Sequence, residues 1–220
     1  NKKFSLSELD ITTRTIEIKN LISFIRSIKD NPQIYILEKF VKKGYLIADI
    51  NLKFDQKGNI KDDFIIKGFI KDGEVKPFKK INLSKINLIF NLQNNKFEFK
   101  DINLSYDNNN LTFPELNIKK QKNKFLVSGK NNSKNLVLDN KKINQLINID
   151  FSNLKIKSVE FDLSNTFSFK IDNKYKIDDF KIDSLMNLKN SKVVSSKNLK
   201  EFFPELNDII ELSDHQIQIE

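Results

Sequence analysis

The residues that could do chemistry are few. His215 is the only histidine and there is no cysteine, so a metal site would need carboxylates alone and a histidine-based triad has one possible base. Flanked by Asp214 and Gln216, His215 reads as a surface residue in a polar turn. Asp62-Asp63 and Asp178-Asp179 are adjacent acids, and neighbours on a strand point to opposite faces, so they cannot share a proton or a metal. They read as turn and edge residues. No glycine-rich loop of the kind that cradles phosphate is present among only 5 glycines. The chain reads as non-catalytic, with no cofactor and no metal.

The formal charge of +9 invites a nucleic-acid reading. The residue choice argues against it. Arg14 and Arg26 are the only arginines, so the planar fork that clamps phosphate and reads guanine is nearly absent. Lysines are scattered with acids between them, as in Lys57-Gly58-Asn59-Ile60-Lys61-Asp62-Asp63, which reads as a solvated face. Heavy use of Asn, Lys and Ile fits an AT-rich coding sequence. The same bias makes glycosylation triplets such as Asn103-Leu104-Ser105 expected by chance.

The elements that would position any site are mostly strands. Leu21, Phe24, Ile25 and Ile28 recur at helical spacing. A second helix is marked by Asn31 as N-cap, Pro32, an apolar stripe of Leu37, Phe40 and Val41, and Gly44 as stop. From Tyr45 the period becomes two: Leu46, Ala48, Ile50, Leu52 and Phe54 alternate with polar residues. Asp55-Gln56-Lys57-Gly58 predicts a turn, and Phe64, Ile66 and Ile70 the return strand. A turn is predicted at Lys71-Asp72-Gly73-Glu74, and a break at Pro77. Strands follow over 81–92, 97–106, 111–118 and 125–127, divided by Asn- and Lys-rich turns. Within them the apolar phase slips, from Ile81 and Leu83 to Ile86, Leu88, Phe90 and Leu92, and from Phe97 and Phe99 to Ile102 and Leu104. A slip of that kind needs a β-bulge to keep one face inward. Later strands carry Phe161, then Phe167 and Phe169, and then Tyr175 to Ile182.

The predicted fold is mainly β with a few short helices: a long, curved, bulged antiparallel sheet forming an open β-groove, with a helical pair near the N-terminus. The predicted organisation is an N-terminal segment with the helical pair (1–44), a curved sheet (45–138), a short helix (139–149, centred on 141–147) and further strands (150–220) with a helix near 197–210, kinked at Pro204, as one continuous module. Asn1 at one end and the alternating Gln216–Glu220 at the other predict a piece cut from a longer protein. No apolar run approaches the ~20 residues of a membrane-spanning helix.

Phenylalanine numbers 19 while tryptophan is absent, and the aromatics fall at strand alternation. They would serve either as a closed core or as an open trough holding acyl chains, which need only continuous apolar area. An outer-membrane barrel also alternates, but helical interruptions and the missing tryptophan fit it badly.

The stretch Gly44-Tyr45-Leu46-Ile47-Ala48-Asp49-Ile50-Asn51-Leu52-Lys53-Phe54-Asp55-Gln56-Lys57-Gly58-Asn59-Ile60, with Ile66 to Pro77, Phe97 to Tyr106 and Phe125-Leu126-Val127-Ser128-Gly129, resembles the strand units of the AsmA-like bacterial envelope proteins of the YhdP and TamB type. The resemblance covers about Ile34 to Gly129. It implies a periplasmic β-groove, anchored in the inner membrane through a segment outside this chain, that carries phospholipid towards the outer membrane. Its partners would be phospholipids, with anionic headgroups or inner- and outer-membrane proteins, and no nucleic acid. The groove candidates are Leu46, Ile50, Leu52, Phe64, Ile66, Leu88, Phe90, Phe97, Phe99, Ile102, Leu104, Phe161, Phe167 and Phe169. The competing expectation is a structural or interaction module with a closed core and a lysine-rich exterior.

Overall fold

A computed structural model describes residues 6–28, 35, 38–59, 61, 63–78, 81–139, 154–172, 174, 176–195, 209–212 and 215–219. The helix predicted at 141–147, residues 197–208 of the helix predicted near 197–210, Asn31, Pro32 and Leu37 of the second N-terminal helix, Asp62 and Tyr175 lie outside these residues; Ile209 and Ile210, predicted as the end of a helix, are strand instead.

The chain is mostly β, as expected, with an open antiparallel sheet and two short helices near the N-terminus. Its strands are β1 (Glu8–Thr12), β2 (Ile16–Glu17), β3 (Val41–Lys53), β4 (Ile65–Phe78), β5 (Ile81–Gln93), β6 (Lys96–Tyr106), β7 (Asn109–Gln121), β8 (Lys124–Asp139), β9 (Leu154–Asp172), β10 (Ile177–Ser195), β11 (Ile209–Leu212) and β12 (His215–Ile219). The order is β1-β3-β4-β5-β6-β7-β8-β9-β10-β11, with β2 on β3 and β12 on β10. Two compact units divide these residues. One comprises Asn1–Lys130 and Phe167–Lys181, the other Asn131–Thr166 and Ile182–Glu220.

In the first unit, helix α1 (Ile18–Ile28) buries Ile22 and packs against β2 and β3. Because it starts at Ile18, its inward stripe runs through Ile18 and Ile22, and Phe24, which the sequence predicted within the apolar stripe, is instead 62% exposed. Residues 38–40 are also helical. Glu38 ties them to α1 by accepting from Ser23 Oγ at 2.9 Å and pairing with Arg26. One of the two arginines is thus spent on holding the helices. The residues predicted to end the second helix, Val41 to Gly44, instead open β3, where Val41 pairs with Val75. β-branched Val41 suits a strand, and Gly44, at φ 138°, lies against Gly73, where a Cβ would come within 2.9 Å of Gly73 Cα.

The turns follow side-chain chemistry. Between β6 and β7, Asp107 and Asn108 both take positive φ (50° and 65°), as a two-residue hairpin loop of the I′ type requires. After β3, Asp55 Oδ1 accepts the backbone N–H groups of Lys57 and Asn59 at 2.8 and 2.9 Å. Asp172 repeats the device after β9 with Lys174 and Lys176.

The predicted turn at 71–74 is not a turn. β4 runs through it, and Asp72, at φ 52°, marks a register shift between Ile70 and Gly73. Lys85 in β5 (φ 51°) and Asp101 in β6 (φ 51°) do the same at the two phase slips read from sequence. The pairs Gly73↔Ile86 and Asn87↔Asn103 put these three bulges side by side, in a seam across the sheet. Asn87 locks it: its Oδ1 accepts the Asp72 N–H at 3.1 Å and its Nδ2 donates to the Lys85 carbonyl at 3.0 Å. Asn103 donates likewise to the Asp101 carbonyl at 3.1 Å. Opposite Asp101 lies Pro114, between the pairs Lys100↔Glu115 and Ile102↔Phe113, a position where no N–H is asked for. A glycine or aspartate in such a stretch thus makes a bulge as readily as a turn.

In the second unit, Leu136 and Phe161 are buried, and Ser133 is fully enclosed with its hydroxyl donating to Asn131 Oδ1 at 2.7 Å. Here Asp162 plays the part of Asn87: it accepts the N–H of positive-φ Asn135 at 2.8 Å and pairs with Lys189 at 2.8 Å.

Candidate functional site: an apolar sheet face

Cross-strand partners share a face of a sheet, so the register defines the faces directly. The pairs Ile11↔Ile50, Ile50↔Ile66, Ile66↔Leu92, Leu92↔Phe97, Phe97↔Ile118 and Ile118↔Val127 form one unbroken apolar row across β1 and β3 to β8. At about 4.8 Å per strand, that row is roughly 29 Å long. Two residues along, a second row runs Ala48↔Gly68↔Phe90↔Phe99↔Leu116↔Gly129, and a third runs Leu46↔Ile70↔Leu88. Beyond the seam Asn103 pairs with Asn87 on the opposite face, so Ile102 and Leu104, which flank it, return to the apolar face. The bulge at Asp101 supplies the extra residue that makes this possible.

The other face is polar. Asn51 Nδ2 donates to Glu8 at 2.6 Å and Asp10 at 2.7 Å, Thr12 Oγ1 donates to Asp49 at 2.8 Å, and Asn91 Nδ2 donates to Glu98 at 3.0 Å. Ion pairs Lys96–Glu98 (2.7 Å) and Lys130–Glu115 (2.9 Å) lie there too. The Lys96 ammonium, followed by Asn91, holds the Glu98 carboxyl below its ordinary range, and Lys76 does so for Glu74. Phe69 and Ile89 interrupt this face, 44% and 50% exposed.

Two glycines make room for aromatic rings on the apolar side. A Cβ on Gly68 would meet Phe90 Cζ at 2.8 Å, and one on Gly129 would meet Phe167 Cζ at 2.7 Å. Phe167, Phe169 and Phe180 continue as a stacked series with centroids 6.3 and 6.4 Å apart. Sequence reading missed these glycines as part of the site, since only the register shows which ring each one underlies.

Of this face, Ala48, Ile86, Phe90, Ile102 and Val127 are buried. Leu46, Ile50, Leu52, Ile66, Leu88, Leu92, Phe97, Phe99, Leu104, Leu116 and Ile118 are only half-buried. Among the described elements, the main contacts of β4 to β7 are with their neighbours in the sheet, and those of α1 are with β2 and β3. A sheet with one apolar face ordinarily packs it against a second layer.

The chain matches no protein-family model, no curated protein and no solved structure.

The sequence candidates Leu46, Ile50, Leu52, Ile66, Leu88, Phe90, Phe97, Phe99, Ile102 and Leu104 thus share one face, and Phe167 and Phe169 belong to the same unit. Phe64 precedes β4 and is half-buried, and Phe161 sits in the second unit, 5% exposed. The acid candidates are engaged elsewhere: Asp63 with Lys53 (3.0 Å), Asp178 with Lys124 (2.7 Å) and Asp179 with Lys170 (2.6 Å). Among the described residues no cluster of His, Asp or Glu could hold a metal, and no helix is long and apolar enough to cross a membrane.

Proposed function

We propose that this chain is a non-catalytic segment of a bridge-like lipid carrier, whose apolar sheet face shields phospholipid acyl chains in passage between membranes of a cell envelope. The observation that carries this reading is the unbroken row from Ile11 to Val127, half-buried along most of its length. Acyl chains demand continuous apolar area and no fixed polar partners, which is what such a row offers. A bilayer's hydrocarbon core is about 30 Å thick for two leaflets, so a single acyl chain, about half that, fits within a row of roughly 29 Å. The opposite face, laced with charges and amides, suits water. The resemblance to AsmA-like envelope proteins points the same way and adds a periplasmic location, with a membrane anchor supplied by another part of the protein.

The test uses half-buried positions, where a charge faces the open side rather than a packed core. Leu92→Asp and Phe99→Asp are expected to keep the far-ultraviolet dichroism of the parent and to lose uptake of a fluorescent fatty acid. Retained uptake in both folded variants overturns the reading.

A further inference from the structure

A cavity of about 540 Å³ opens in the first unit where β2, the start of α1 and the bulge seam converge. Four of its lining residues are cations, Lys19, Lys42, Lys43 and Lys85, against two carboxylates, Glu17 and Asp72. We propose that this cavity is a binding site for a phosphomonoester group.

The fold builds the convergence. Gly44 lets β3 close on Gly73, since a Cβ there would come within 2.9 Å of Gly73 Cα and 3.0 Å of Ile18 Cδ1. That approach sets Lys42 and Lys43 of β3 beside the Asp72 bulge of β4 and the Lys85 bulge of β5. Pairing of Glu17 with Tyr45 brings in the first turn of α1 with Lys19, a turn that contains no acid.

The charges within the cavity do not cancel. Glu17 is already engaged by Asn20 Nδ2 at 3.1 Å. Lys43 stands 3.6 Å from Glu74, which Lys76 holds more closely at 3.1 Å. Lys42 donates to the Lys39 carbonyl at 2.7 Å, which leaves its charge unneutralised. Among the described residues, Lys19 and Lys85 belong to no ion pair. The formal excess is two positive charges, and a phosphomonoester carries about −1.5 to −2 at neutral pH with three acceptor oxygens. Ammonium groups on flexible stems can turn to it as charge-assisted donors.

The same chemistry is offered by free phosphate and by the headgroup of phosphatidic acid. This site is independent of acyl-chain carriage: fatty-acid uptake reads the apolar face and phosphate reads the cavity, so either can fail alone. The experiment compares Lys19→Gln/Lys85→Gln with a control of equal charge change, Lys57→Gln/Lys122→Gln, both in exposed turns. Each protein is titrated at constant ionic strength with inorganic phosphate, followed by the amide resonances of Gly44 and Tyr45, and with phosphatidylcholine vesicles with and without phosphatidic acid, followed by sedimentation. The cavity variant is expected to bind about tenfold or more weakly than the control, as loss of two charge-assisted contacts implies. Dependence on Lys19 and Lys85 with both probes or with the doped vesicles assigns a lipid headgroup, and dependence with inorganic phosphate alone assigns a soluble ligand. If neither probe separates the two variants, the site is overturned.

Discussion

A methyl group at Gly68 would stand 2.1 Å from the Ile47 carbonyl oxygen and 2.8 Å from Phe90 Cζ, so Gly68→Ala must move the neighbouring strand as well as the ring that lies across it. Overpacking of this kind costs about 1–3 kcal/mol, and chemical denaturation of Gly68→Ala is expected to show a loss in that range. Asn87 is the second residue on which the face depends, because it satisfies the N–H of one bulge and the carbonyl of the next. Asn87→Ala removes two hydrogen bonds and is expected to cost about 1–2 kcal/mol, by the same measurement. Asn87→Asp separates the two contacts, since it retains the acceptor for Asp72 and loses the donor for Lys85. It should fall between the parent and the alanine variant.

Lysines and carboxylates pair along and between the strands, and the titration of these pairs has a definite sign. Glu74, Glu98, Asp162 and Asp178 are all held below their ordinary range, in each case chiefly by a hydrogen bond from a lysine, Lys76, Lys96, Lys189 and Lys124 respectively. A carboxyl whose folded pKa is depressed contributes stability that is present above its unfolded value, about 4, and lost as pH falls through the folded value. Melting temperature is therefore expected to be level near neutrality and to fall below about pH 4. In Lys124→Gln the part of that fall due to Asp178 should shrink, to what Lys176 and Lys170 still hold. Exposure keeps each pair's share small.

Much of this element scale is legible in the sequence, because a half-buried strand must alternate. Leu46 to Leu52 and Phe97 to Leu104 announce both the strands and the slip that becomes the Asp101 bulge. What alternation cannot convey is register: nothing in the order of residues says that Gly68 lies beneath Phe90, or that three bulges align. Local signals also serve two ends. Asp72-Gly73 reads as a turn and makes a bulge, and Val41 to Gly44 read as a helix end and make a strand, since pairing with Val75 on β4 outweighs local propensity. β1 and β2 were missed because Glu8–Thr12 and Ile16–Glu17 are too short to show a period.

On the scale of the first unit, the apolar and polar faces lie one residue apart along every strand, and this allows the central claim to be tested by position. A photoreactive benzoyl-phenylalanine placed at Phe97 or Phe99 should capture phospholipid, whereas the same group at Glu98 or Lys100, on the opposite face of the same strand, should capture none. The measurement is mass spectrometry of irradiated protein in lipid-containing cells or liposomes. Lipid adducts at 97 and 99 with none at 98 and 100 are the predicted result. Equal labelling of both faces, or no adduct at either, would contradict the carriage of acyl chains on this sheet.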